Sequence, residues 1–278
     1  MPTSPGAKRS ARNDARTDSN DPQFANTLAR GLRVLQCFSA SAPQLGNGEL
    51  SEMTGLPRPT VSRLTYTLIE LGYLRRCIGS TRFEVGTGVL CLGYPVLSRL
   101  AFRQVAMPHM RQLAQAIDGS VTIAVRDRLR MVTLENATHR DVLRRRPDTG
   151  VTIDFVGTTA GLGWLVGASE SERERALREI AKDLPAALDA TRADYEMGIR
   201  QVMRDGYVMR RGVWRKDTAA LATPLWRQPG EELLVLGCVL ETPPAQADAL
   251  ERNAGRLLLE AARAISAELG GTRGANAR

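Results

Sequence analysis

Between Gly55 and Gly72 the stretch GLPRPTVSRLTYTLIELG carries Arg58, Thr60, Ser62, Arg63, Tyr66 and Thr67, with no acid until Glu70. Guanidinium, hydroxyl and phenol groups gathered on one side of a rod suit the acceptor-bearing edges of bases and phosphate oxygens. Taken alone, the same side also suits an ordinary solvated helix face. Residues for catalysis do not assemble elsewhere. His109 stands beside Pro108 in a helical stretch and His139 in an arginine-rich loop, neither near a GxSxG or Cys/His signature. No HExxH, paired CxxC or carboxylate cluster offers a metal site, so neither a cofactor nor enzymatic activity is expected.

Local signals say how the polar face is positioned. Pro59 fits the first turn of a helix and Gly72 its end, while Val61, Leu64, Leu68 and Leu71 recur along the side to be buried. Upstream, residues 47–54 read as a short helix capped by Asn47, and Gly55-Leu56-Pro57 as a tight turn. Two helices joined this way form a helix-turn-helix. Downstream, residues 73–78 and 81–85 flank Gly79-Ser80 as a hairpin, placing Arg75, Arg76 and Arg82 on a wing.

GLPRPTVSRL, then LIELGYL, a hairpin and FEVGTGVLCLG resemble the winged-helix end of the IclR-type (isocitrate lyase regulator) transcriptional regulators. The resemblance is strongest from Leu28 to Gly93 and extends at pattern level to Leu269. It implies an α+β fold, with an N-terminal winged helix-turn-helix joined by a helical linker to a GAF-like mixed α/β effector-binding domain. The corresponding limits are a disordered tail (1–22), the winged unit (23–86), a linker helix (87–101), the effector domain (102–272) and a second tail (273–278).

Composition agrees with that organisation. A chain of 278 residues suits two domains with separate cores. The formal charge of +8 favours an anionic partner, and residues 55–85 hold five arginines against Glu70 and Glu84. Four scattered cysteines form no disulfide framework, and no run of about 18 apolar residues or signal peptide appears. A cytoplasmic protein without membrane association is expected. The first 21 residues are polar and carry Lys8, Arg9, Arg12 and Arg16, a solvated tail that could also touch phosphate. Leu28, Leu32, Leu35 and Phe38 give the winged unit its first helix, and Pro95 and Pro108 should break or bend the helical region after the wing.

The second half alternates strand-like and helical runs. Strands are expected near 121–125, 131–134, 151–156, 207–211, 219–225 and 233–240; helices near 159–166, 170–182, 193–205 and 245–269. This order implies a largely antiparallel sheet. Within it, Gly157-Thr158-Thr159-Ala160-Gly161-Leu162-Gly163 lacks a phosphate-loop lysine and a full dinucleotide fingerprint. Small residues opening a helix leave N–H groups free for a carboxylate, with Thr158 and Thr159 adding hydroxyls and Phe155 and Trp164 an apolar wall. Close helix-on-sheet packing accounts for the spacing equally well.

The resemblance makes GTTAGLGWL a border of the family's effector pocket, and Phe155, Thr158, Thr159, Ala160, Gly161, Trp164, Arg210, Trp214, Ala220 and Cys238 are the expected effector-binding residues. Where the commonest family pattern has acids after the glycine-aromatic pair, this chain has MRRGVWRKD, so the best-known effector is not carried over. Trp214 with Arg210, Arg211 and Arg215 points to an organic acid, with an exposed basic loop as the competing reading. Arg144-Arg145-Arg146 raises the same alternative. The expected partners are double-stranded operator DNA, a small-molecule carboxylate effector, and a second copy in a homodimer, with pairing into tetramers implied by the family. Repression is its commoner behaviour. Two alternatives are a DNA-binding protein whose C-terminal half serves assembly only and an enzyme with a winged appendage.

Overall fold

The computed structural model describes residues 20–98, 102–139, 148–213, 215–225 and 231–269. The chain divides into two compact units, 1–99 and 100–278. The calls on both tails, Arg144 to Arg146 and Trp214 fall outside the described residues.

The first unit contains α1 (Asn26–Gln36), β1 (Gln44–Leu45), α2 (Asn47–Thr54), α3 (Arg58–Glu70), β2 (Leu74–Arg76), β3 (Phe83–Val85) and α4 (Gly88–Ser98). Val34, Leu45, Leu50, Val61, Leu68, Leu74 and Phe83 form its core. The turn between α2 and α3 is fixed locally. Gly55 supplies a φ of 71°, open to glycine without a Cβ clash, and Ser51 Oγ donates to the Leu56 carbonyl at 2.6 Å. Glycine also ends α3: Gly72 has a φ of 76°, and the Tyr73 amide donates to Leu68 O at 2.8 Å.

Three local expectations are corrected. Asn47 is not the cap of α2: the helix starts on it, and Glu49 Oε2 instead accepts the Gly46 amide at 2.9 Å. Leu71 is exposed because α3 has ended before it, and Thr65 takes an inward position, its hydroxyl donating to Val61 O at 3.0 Å. The expected first helix is present as α1, with Leu28 (63% exposed) and Leu32 on its exposed side and Gly31 and Val34 turned inward. Neither Pro95 nor Pro108 ends a helix; α4 and α5 run through them.

The second unit comprises α5 (Phe102–Ala116), β4 (Ser120–Asp127), β5 (Arg130–Thr138), β6 (Thr152–Asp154), α6 (Thr159–Gly167), α7 (Glu170–Asp183), α8 (Leu188–Asp205), β7 (Val208–Arg211), β8 (Thr218–Pro224), β9 (Leu234–Glu241) and α9 (Ala247–Glu268). Its six strands form one antiparallel sheet in the order β6-β5-β4-β9-β8-β7. Strand alternation sends Val121, Ile123, Ala219, Leu221, Leu236 and Cys238 to the face covered by α5 and α9. Ala124, Val208, Ala222 and Val235 face α6, with α7 and α8 completing that layer. The whole fold is mixed helix and antiparallel sheet, as the sequence implied.

Candidate nucleic-acid interface and effector region

Helix α3 splits cleanly by face. Val61, Thr65 and Leu68 are buried, while Arg58, Ser62, Arg63, Tyr66 and Thr67 are exposed and Thr60 is half-buried. Tyr66 presents 62% of its surface to solvent, an unusual position for a ring with no partner to cover it. Thr67 Oγ1 donates to Arg63 O at 3.1 Å, which ties its hydroxyl to the helix. Among the described residues Arg58 and Arg63 form no ion pair.

The wing arginines differ in their surroundings. Arg75 Nε lies 2.7 Å from Glu84 Oε1, and Gln44 Nε2 donates to the other Glu84 oxygen at 3.3 Å. Arg82 Nη1 donates to Gln44 O at 2.7 Å and its Nη2 to Glu49 Oε1 at 2.9 Å. Arg76, an exposed residue, instead places its guanidinium over the Phe83 ring at 5.5 Å. Gln44 and Glu49 escaped the sequence reading because they lie 38 and 33 residues from Arg82. No local spacing links them.

In the second unit the Thr158 hydroxyl caps α6, accepting the Gly161 amide at 3.1 Å and donating to Asp154 O at 2.8 Å. Thr159 is only 5% exposed, and its Oγ1 has no hydrogen-bond partner. An unpaired hydroxyl buried in this way carries a desolvation cost of about 1–3 kcal/mol. Ala160 is half-buried. Gly161 is enforced by packing, since a Cβ there would lie 1.8 Å from Phe155 O. Gly163 meets the sheet directly: its Cβ would be 3.0 Å from both Ala222 and Val235. From there α6 runs on until Gly167 reaches Pro224 and Leu233, so its N-terminal end points the other way along the strands, toward Ala220 and Gly237.

Under that end the sheet changes character. Ala124, Ala222 and Val235 are sealed, whereas Thr122, Ala220, Gly237 and Val239 on the same face are half-buried. Arg210 pairs with Ala220 in register. It forms a 2.6 Å ion pair with Asp194 and donates to Gly157 O at 3.4 Å, while its buried Nε has no partner. Ser120, Asn136 and Thr138 add linked polar side chains, with Ser120 Oγ donating to Asn136 Oδ1 at 3.0 Å. Ser120 and Thr122, alternating with Val121 and Ile123 at the start of β4, were the available signal for this strip.

Three expected effector residues occupy other surroundings. Cys238 (2% exposed) is corrected: its register partner is Leu221, and it faces α5 and α9 across the sheet from Ala220. Phe155 (1% exposed) and Trp164 pack edge to face at 5.6 Å against Arg126, and Trp164 and Arg126 line a cavity of about 290 Å³ with Val125, Glu172, Arg175 and Leu233. The Arg126 guanidinium lies 5.0 Å from the Phe155 centroid and 4.7 Å from that of Trp164, with Glu179 at 2.5 Å. Burial pulls its basicity below the ordinary value and Glu179 opposes that shift. Arg211 is held by Asp248 and Glu251 of α9.

His109 Nε2 lies 2.7 Å from Glu268 Oε1, joining α5 to α9. Among the described residues no three potential ligands gather around a metal site, and no helix is long and apolar enough to cross a membrane.

A polar-faced helix following a short turned helix, with an arginine-bearing hairpin beyond it, defines a winged-helix DNA-binding transcriptional regulator. The family models agree: residues 27–76 match the IclR helix-turn-helix domain and residues 94–267 the bacterial transcriptional regulator IclR C-terminal domain. The chain belongs to the IclR family of DNA-binding transcriptional regulators, which are not enzymes. It is 35% identical to the HTH-type transcriptional regulator TsaQ1/TsaQ2 of Comamonas testosteroni over 201 residues, 72% of each chain. An IclR family transcriptional regulator from Brucella abortus shares its fold with a TM-score of 0.73 and 37% identity, over 90% of this chain and 95% of that one. An IclR homologue from Microbacterium hydrocarbonoxydans, solved with 4-hydroxybenzoate, has a TM-score of 0.70 at 24% identity, over 88% and 99% of the chains.

Proposed function

We propose that this regulator reads operator DNA with the exposed side of α3 and answers to a small organic acid held at the N-terminal end of α6. Arg58, Thr60, Ser62, Arg63, Tyr66 and Thr67 are the groove-facing set, and Arg76 meets phosphate from the wing. One such helix covers few base pairs, so two copies act on a two-part site.

The observation that carries the effector reading is the buried, unpartnered Thr159 hydroxyl on the first turn of α6, above a half-open floor of Ala220 and Gly237. A carboxylate would meet the free N–H groups there, with Arg210 alongside. The homologue solved with 4-hydroxybenzoate supports this ligand class. The ligand acts on DNA binding only through unequal affinity for two arrangements of the dimer.

Thermal unfolding of the full chain against a panel of aromatic and aliphatic carboxylates, 4-hydroxybenzoate included, tests the site. A binder at 100 times its Kd should stabilise by about 2.7 kcal/mol. Thr159→Val should reduce that gain without changing the unliganded melting point by more than a few degrees. A flat panel would leave the second unit an assembly domain only.

A further inference from the structure

The wing carries three arginines, and elementary electrostatics would assign all of them to phosphate. Their partners separate them. Arg82, immediately before β3, reaches toward α2 and makes two directed contacts at once, to the Gln44 carbonyl at 2.7 Å and to Glu49 Oε1 at 2.9 Å. Glu49 uses its other oxygen on the Gly46 amide at 2.9 Å, so a single carboxylate closes the start of α2 and receives the wing. The chain of contacts continues across the sheet. Gln44 and Arg75 both stand opposite Glu84 in register, and both bond to it. Arg75, Glu84, Gln44, Arg82 and Glu49 thus link all three strands of the wing to α2.

We infer that Arg82 and Glu49 are positioning residues that pin the wing to α2, and that Arg82 is not a phosphate contact. The planar guanidinium is the group suited to this work, because its nitrogens can serve two acceptors in fixed directions. A lysine in its place keeps the charge but cannot hold both. The wing's phosphate contact falls to Arg76, which has an aromatic face behind it and, among the described residues, no carboxylate partner. Glu49 contributes to DNA binding despite its sign: its negative charge opposes DNA, while its contact with Arg82 fixes the geometry that DNA meets.

The experiment uses the full-length protein and a DNA fragment selected from a random-sequence pool by the wild type, with affinity measured across a salt series. Arg82→Lys, Arg82→Ala, Glu49→Gln, the Glu49→Gln/Arg82→Ala double variant and Arg76→Ala are compared. Loss of one exposed ion pair corresponds to about a two- to five-fold change in affinity. The pin predicts that Arg82→Lys and Arg82→Ala weaken binding alike, with the wild-type salt slope. It also predicts that Glu49→Gln weakens binding and that the double variant is no worse than the singles, whereas Arg76→Ala lowers the slope by about 0.9. Three results would each overturn it: near wild-type affinity for Arg82→Lys, a lowered slope for Arg82→Ala, or tighter binding by Glu49→Gln. Should Glu49→Gln not fold, the contrast between Arg82→Lys and Arg82→Ala still decides.

Discussion

Ser62, Arg63, Tyr66 and Thr67 occupy successive turns of α3 with their side chains clear of the core, and Arg63 is the cation nearest the middle of that surface. We expect Arg63→Ala to weaken binding to a selected DNA site and to broaden base preference at one position. The expected cost is about 1–3 kcal/mol, the usual discrimination of a bidentate arginine–guanine contact. Repeating the selection with the variant measures it, and an unchanged consensus would remove Arg63 from the groove. Glu49 adds a pH dependence. The hydrogen bond from the Gly46 amide, joined by the Arg82 guanidinium, holds its carboxyl below the ordinary 4.5. A lowered folded value means that its contribution is complete above the ordinary value and is lost as pH falls through the lowered one. Melting followed from pH 6 downward should therefore show the wild type losing an increment in acid that Glu49→Gln lacks at every pH.

At the scale of elements, α6 is placed by what it lacks. Gly161 and Gly163 let it lie against the Phe155 backbone and against Ala222 and Val235, which leaves its N-terminal end directed along the strands. Gly161→Ala should cost about 1–3 kcal/mol or more, because the clash is with backbone that cannot rotate aside. Urea unfolding of the full chain reads that loss, and wild-type stability would contradict the packing. The helix itself was legible from GTTAGLGWL, and so was its N-terminus. Its close packing and its open end were alternatives on paper: Gly161 and Gly163 supply the close packing, and the open end belongs to the proposed effector site. Arg126 had no local signal, since the two rings that enclose it lie 29 and 38 positions further along the chain.

Considered as a whole molecule, the chain leaves apolar surface where a partner is expected. Leu28 and Leu32 on α1 and Leu90, Leu92, Tyr94 and Val96 on α4 are exposed. Large apolar side chains left exposed on neighbouring turns of one helix, as Leu90, Leu92, Tyr94 and Val96 are on α4, mark a surface that another body covers. We propose that a second copy of this chain does so, forming the dimer that a two-part operator requires. Leu90→Glu should shift the protein toward monomer in sedimentation velocity and weaken binding to a two-part site far more than to an isolated half-site. An unaltered sedimentation coefficient would place the dimer contact elsewhere.

The order of elements, the helix-turn-helix, the wing and the polar face of α3 all follow from signals within about twenty residues of one another: glycine stops, a proline start and apolar spacing. Helix and turn formation are local equilibria, so a local reading reaches them. Tertiary structure decided what long sequence separations bring together. It gave Arg82 to Glu49 and set Arg76 over the Phe83 ring, placed Cys238 on the far side of the sheet from Ala220, and packed Phe155 and Trp164 against Arg126. Strand register changes a side chain's face with each residue, and an ion pair forms with whichever carboxylate folding brings within reach. Neither is encoded in spacing along the chain.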